Sequence, residues 1–168
     1  MTVPPKLRIV VILLYETVVS NLKANEGWSK YIRCNIEFKQ GCPLSPTLFG
    51  IYIDKLEKCL ETASCKGIEL AGIIVTLLLY DDDIILLEKI HDDLDKQIKT
   101  LHYYCSNKGM TVNTNKTKVV IIKSKNTTHG NFVYDNHCLE QISSYKYLGI
   151  DIPHQLNWNY NIKKRRRI

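Results

Sequence analysis

The sequence predicts an α+β or α/β fold around one sheet, and three observations carry that expectation. Segments with apolar residues at helical spacing alternate with short apolar, β-branched stretches bounded by Gly, Pro, Asn or Asp. The 168-residue chain is 45% hydrophobic and 24% charged, which suits about one domain with a real core. No internal repeat, low-complexity linker or bilayer-length apolar run interrupts the alternation. A disordered tail, a collagen-like repeat and a disulfide miniprotein are excluded by the same composition.

Each element follows from local chemistry. A proline at its start and the apolar residues Leu7, Val10, Val11, Leu14, Val18 and Leu22 on one face predict a helix over Pro4 to Leu22. Lys6 and Arg8 before the run from Ile9 to Leu14 imitate an export signal, but Tyr15 and Glu16 end the run and no small-residue cleavage site follows. Beyond Gly27, short stretches around Tyr31-Ile32 and Ile36 to Phe38 have the pattern of a hairpin. Gln40-Gly41-Cys42-Pro43-Leu44-Ser45-Pro46 is a loop in which Ser45 and Pro46 suit the N-cap and first helical positions. The helix it starts turns Leu48, Phe49, Tyr52, Ile53, Leu56 and Leu60 inward and runs to about Thr62.

Gly67 to Leu70 and Ile73 to Leu79 read as strands that turn at Gly72, and Ile84 to Leu87 resumes the apolar pattern after three acids. The next helix spans about Asp92 to Lys108, with Asp92, Asp93 and Asp95 near its positive end and Gly109 beyond its other end. Strands are expected at Lys118 to Ile122, Phe132 to Tyr134 and around Tyr145 to Ile150.

The net charge of +6 comes from 23 basic and 17 acidic residues. Five of the basic residues form the run Lys163 to Arg167, so the remaining 18 face 17 acids across a nearly neutral body. That run reads equally as an import signal, a phosphate-binding patch, the first turn of a further helix or a solvated tail. The six cysteines form no C-x-x-C pair and have no histidine at zinc-ligand spacing, which argues against structural zinc and a redox dithiol. Reduced thiols without an export signal point to the cytoplasm or nucleus rather than secretion, and no segment points to a membrane.

The segment Leu77 to Leu87 places Asp81, Asp82 and Asp83 between two apolar strands. Ionised carboxylates are too costly to bury unpaired, so they belong in an exposed turn or beside cations. A hairpin tip would present oxygen ligands suited to Mg²⁺ or Mn²⁺, which keep several waters and bridge to phosphates. Two such ions about 3.5–4 Å apart serve phosphoryl transfer. A solvated turn rich in Asp explains the acids equally well.

Four blocks then decide between these readings. They are Gln40 to Pro46, Tyr80-Asp81-Asp82-Asp83, Gly109-Met110-Thr111-Val112-Asn113 with Lys116-Thr117-Lys118, and Tyr145-Lys146-Tyr147-Leu148-Gly149-Ile150. In order and approximate spacing they resemble the palm region of a reverse transcriptase of the non-LTR (LINE-type) retrotransposon family, over about Pro4 to Asn157. The resemblance implies an α+β partial polymerase palm, a ferredoxin-like antiparallel sheet against helices, over residues 1–157. Residues 158–168 would be a basic tail or the start of a thumb.

By the same resemblance, Asp82 and Asp83 are the catalytic metal ligands for Mg²⁺ or Mn²⁺. Gln40, Gly41, Pro43 and Tyr80 would serve nucleotide and template, with Tyr80 packed beneath the carboxylates. Lys116 would help protonate pyrophosphate. Tyr147, Leu148 and Gly149 would form the primer-grip region. The implied partners are an RNA template, a DNA primer and deoxynucleotide triphosphates.

The sequence departs from the family twice. The family carries a further catalytic Asp on a strand before the first helix, and that strand, the fingers and the thumb are expected to be missing here. Asp81 also stands where the family has Ala in Tyr-Ala-Asp-Asp, adding negative charge beside the ligand pair. Open strand edges, exposed apolar surface and weak or absent catalysis by the isolated chain are the expected consequences. An upstream polypeptide supplying the absent strand would restore activity. The alternatives are a non-catalytic nucleic-acid binder acting through Lys163 to Arg167 and a retroelement relic without function.

Overall fold

In the computed structural model, the described residues are 3–16, 18–25, 27–33, 42–122 and 130–157. Helix α1 (Pro5–Glu16) leads into four short strands, β1 (Val19–Ser20), β2 (Lys23–Ala24), β3 (Gly27–Trp28) and β4 (Ile32–Arg33). Helices α2 (Ser45–Ile53) and α3 (Lys55–Thr62) come next, then β5 (Ile68–Leu70), β6 (Ile73–Val75), β7 (Leu77–Tyr80) and β8 (Asp83–Leu86). After α4 (His91–Asn107) come β9 (Lys118–Val119), β10 (Val133–Tyr134), β11 (His137–Cys138), β12 (Glu140–Gln141), β13 (Ser144–Tyr147) and β14 (Ile150–Pro153). The mixed α+β class is as expected, and no helix among the described residues is long and apolar enough to cross a membrane.

The single sheet is not found. Among the described residues the strands pair two by two, in seven separate ladders. Six of them join neighbours in the chain or nest within one hairpin. β9 and β12 instead run parallel, with Lys118 opposite Glu140 and Gln141 opposite Val119. The physical reason is local: strands of two to four residues find their partner across a tight turn, which costs little loop entropy, whereas merging ladders requires long-range pairing.

Two-residue turns close several of the ladders. Ala71-Gly72, Asp135-Asn136 and Leu148-Gly149 have positive φ at both positions, the backbone of a type I′ hairpin. The expected strand around Tyr145 to Ile150 is therefore a hairpin that turns at Leu148-Gly149.

The first helix is shorter than its periodicity predicts. It stops at Glu16, and β1 follows in a β-branched stretch that pairs with β4 instead of extending the helix. β4 thus pairs with β1; residues 36–38, its expected partner, lie outside the described residues. On α1 the least exposed side chains are Val11 and Tyr15. Leu7, Val10 and Leu14, expected to face inward, are 53%, 51% and 54% exposed. Exposed apolar surface was expected, and α1 carries much of it.

The helix predicted over Ser45 to Thr62 is interrupted at Asp54, although Ile53, Leu56 and Leu60 are buried as predicted. Helix α4 matches its prediction closely. Asp92 and Asp93 lie in its first turn, where they favour the positive end of the helix dipole. At its far end Met110 N–H donates to Cys105 O at 2.9 Å and Gly109 N–H to Ser106 O at 3.2 Å, a Schellman closure.

The chain divides into two compact units, Met1–Lys55 with Tyr80–Asp83, and Leu56–Leu79 with Ile84–Ile168. The second holds most of the buried side chains. Leu56 and Leu60 of α3, Ile98, Leu101, Tyr104 and Cys105 of α4, and Phe132, Tyr134 and Leu139 form its core. His91 stacks on Phe132 with ring centroids 4.4 Å apart, and His102 meets Tyr134 edge-on at 5.1 Å.

Candidate functional site

The three adjacent carboxylates sit at the tip of the β7–β8 hairpin. Asp81 and Asp82 form its two-residue turn, Asp83 opens β8, and all three side chains are exposed. Only Asp81 of the two turn residues has positive φ, at 51°. Asp tolerates that left-handed conformation better than most residues because its short polar side chain bonds locally. Tyr80 closes β7 but is 61% exposed, so it does not pack beneath the carboxylates as expected. A two-stranded ladder leaves the residue beside its turn with too few neighbours to cover a phenol ring.

The root of this hairpin lies within the second unit and is held there. Leu87 N–H donates to Thr76 O at 2.9 Å, one step beyond the ladder. Gln97 of α4, fully buried, aims its Nε2 at Thr76 O, Leu87 O and Glu88 Oε1, at 3.4, 3.3 and 2.8 Å. Glu88 Oε1 also accepts the Lys66 and Gly67 N–H groups, which ties the start of β5 to the same point. The sequence reading missed Gln97. The available signal was its place between Leu94, Ile98 and Leu101, on the inner side of an otherwise amphipathic helix.

The loop before α2 is anchored to α1. Tyr15 Oη lies 3.1 Å from Ser45 Oγ and 3.8 Å from Cys42 Sγ, and Ser45 N–H donates to Cys42 O at 3.1 Å. Ser45 is therefore the first helical residue, and Leu44 occupies the cap position without a side-chain bond. Ser45 turns its hydroxyl to Tyr15 rather than to the helix end. The Leu44 backbone N–H, followed by the Tyr15 hydroxyl, holds the Cys42 thiol below its ordinary pKa. Tyr15 was read only as the end of an apolar run; its i,i+4 spacing from Val11 marks the inner face of α1.

Asp82, Asp83 and Tyr80 share one tip, and that tip groups with the unit that also holds Pro43, which is exposed in its loop. Gln40 and Gly41 lie outside the described residues. Lys116 and Tyr147-Leu148-Gly149 belong to the second unit. Lys116 is exposed in a turn, where its backbone N–H donates to Asn113 O at 3.1 Å and to Asn113 Oδ1 at 3.2 Å. Tyr147 is half-buried at the end of β13, while Leu148 and Gly149 are exposed in the turn that follows. Among the described residues no three His, Cys, Asp or Glu side chains converge as a metal site. The paired carboxylates supply hard oxygen donors of the right type for Mg²⁺, but only part of its shell.

Comparisons with known proteins identify the family. A family model for reverse transcriptase (RNA-dependent DNA polymerase) matches residues 1–152. The chain is 30% identical over 128 residues to the retrovirus-related Pol polyprotein from type-1 retrotransposable element R2 of Popillia japonica, covering 71% of this chain and 21% of that protein. It is 24% identical over 159 residues to the corresponding R2 polyprotein of Nasonia vitripennis, covering 88% of this chain and 15% of that protein. The chain thus spans about a fifth or less of the length of these relatives. With the acidic hairpin, the loop before α2 and the family match in one chain, this protein belongs to the reverse transcriptase family, as the reverse transcriptase domain of a non-LTR, LINE-type retrotransposon.

Proposed function

We propose that this chain supplies the carboxylate turn and nucleotide-facing loop of an RNA-directed DNA polymerase that extends a DNA primer along an RNA template. The observation that carries the reading is the exposed Asp81-Asp82-Asp83 tip on an otherwise apolar hairpin. Three like charges gain nothing there from packing, and their position suits a cation shared with phosphates. Asp82 and Asp83 would hold Mg²⁺ or Mn²⁺. The bound ion supplies charge stabilisation for the attacking and leaving oxygens of nucleotidyl transfer.

The remaining roles belong to the chain's own side chains. Gln40, Gly41 and Pro43 line the nucleotide pocket, with Tyr80 beside it. Lys116 gives a proton to the departing pyrophosphate. Tyr147, Leu148 and Gly149 support the primer end from the turn of the β13–β14 hairpin. Residues 1–157 act as part of a palm, and residues 158–168 as a basic tail or the start of a thumb. Two carboxylates are an incomplete ligand set, and groups that act as a unit lose activity together, so the isolated chain is weakly active or inactive. An upstream polypeptide bearing a further Asp completes the set.

Primer extension on an RNA template with Mg²⁺ or Mn²⁺ tests this. The chain alone should give little product. Adding the upstream polypeptide should raise extension, and Asp82→Ala with Asp83→Ala should abolish the gain. Extension that is equal in the double variant refutes the role of this turn.

A further inference from the structure

Helix α1 carries an unbroken apolar and aromatic run from Ile9 to Tyr15, and its only charged residues are Lys6, Arg8 and Glu16. A helix that is apolar all round normally lies buried, yet no residue of α1 is buried. Val11 and Tyr15 mark its better-covered side, where Tyr15 meets Ser45. With about 100° between successive residues, Lys6, Ile9 and Leu13 fall on the opposite side, flanked by Val10 and Glu16. Ile9 is 58% and Leu13 59% exposed. Lys6 and Glu16 are exposed as well.

This outer face is complementary to its own reversal. Lys6 stands five residues before Val11 and Glu16 five after it, while Ile9 and Leu13 stand two before and two after. An antiparallel copy centred at the level of Val11 therefore sets Lys6 level with Glu16 of the second copy at both ends. Ile9 and Leu13 come level with each other between them. A parallel copy would oppose Lys6 to Lys6 and Glu16 to Glu16, which like charges disfavour. A two-fold contact needs a patch that matches itself, whereas an unrelated polypeptide gives no reason for one. We propose that the outer face of α1 is the seam of a two-fold, antiparallel dimer of this chain. The helix is about 18 Å long, so the seam is smaller than the about 800 Å² per partner of a standard interface, and the dimer is a weak, reversible one. The seam contains no residue of the acidic turn or of the loop before α2, so it stands or falls apart from the polymerase reading.

Sedimentation equilibrium of the full chain from about 1 to about 200 µM spans the affinities of a weak interface and should show a monomer–dimer equilibrium. Leu13→Lys, at a position already exposed, should weaken the dimer at least about tenfold while far-UV circular dichroism stays unchanged. At low salt Lys6→Glu and Glu16→Lys should each weaken it about fivefold. The two changes together restore opposite charges at both ends, so the double variant should regain the wild-type affinity. An apolar surface that is merely adhesive would respond to Leu13→Lys without showing this rescue. A chain that stays monomeric throughout overturns the proposal, and the face then belongs to polypeptide outside this chain. A dimer indifferent to Leu13→Lys overturns it as well, because the contact lies elsewhere. So do association that grows past a dimer, since a two-fold contact closes on itself, and a double variant no tighter than the single ones.

Discussion

Replacing Gln97 with Leu should cost about 2 kcal/mol and loosen the root of the acidic hairpin. The Gln97 side chain is fully buried, and its Nε2 faces Glu88 Oε1, Leu87 O and Thr76 O. Thr76 O keeps a second donor, Leu87 N–H, so the change falls on Glu88 and on Leu87 O. A hydrogen bond to a charged group is worth about 1.5–3 kcal/mol, and a carbonyl left without a donor costs about 1–3 kcal/mol. Working the other way, Gln97 Oε1 is buried without a partner, and Leu removes that penalty of about 1–3 kcal/mol. The balance of about 2 kcal/mol is about a 30-fold shift between folded and unfolded chain.

Gln97→Glu should be worse at pH 7. It keeps the shape but sets a second carboxylate against Glu88 with no proton between them, and the deficit shrinks as pH falls and the new carboxyl becomes a donor. Urea unfolding at pH 7 and pH 5 measures both effects, and amide exchange at Lys66, Gly67 and Leu87 localises them. A Gln97→Leu protein within about 0.5 kcal/mol of wild type, or a Gln97→Glu protein no less stable than it at pH 7, refutes the reasoning.

Three further outcomes are expected. Gly67 has φ +67°, and an added Cβ would lie 2.5 Å from Val75 O, so Gly67→Ala should destabilise by at least about 2 kcal/mol in the same urea assay. Burial pushes the Cys65 and Cys105 thiols and the Tyr134 hydroxyl up, and the Cys105 contact adds to the Tyr134 shift. The folded chain therefore holds these protons more tightly than the unfolded one, so their stabilisation is complete below about pH 8.5 and is lost as pH rises, with the tyrosine share lost above about pH 10. Thermal melts from pH 7 to 11 should show the decline, and Tyr134→Phe should lessen its upper part. Iodoacetamide at pH 7.5 should label Cys42 before Cys65 and Cys105, with Tyr15→Phe slowing Cys42, as read by peptide mass spectrometry.

Much of the local architecture was legible in order. Helix α4 could be read from its acids, its apolar spacing and Gly109, because both ends of a helix are settled by a few neighbouring backbone groups. The turns at Gly72 and at Asp81-Asp82 were legible for the same reason. Other features depended on partners distant in the chain. β1 replaces the end of the predicted first helix because Ile32 and Arg33 lie across from it, and no pattern in residues 17–22 names them. Ser45 looked like a cap until Tyr15, thirty residues earlier, took its hydroxyl.

The residue pattern by itself determined a mixed helix and strand class and the carboxylates at a hairpin tip, and the resemblance carried by the four motifs supplied the family, because each rests on residue type and short-range order. Only the tertiary structure decided that the strands pair in separate ladders, that Tyr80 stands exposed, and that Gln97 clamps the base of the acidic hairpin. Those outcomes depend on which distant groups meet and exclude water, and a hydrogen bond or buried surface gains its energy from the partner, which a linear pattern does not specify.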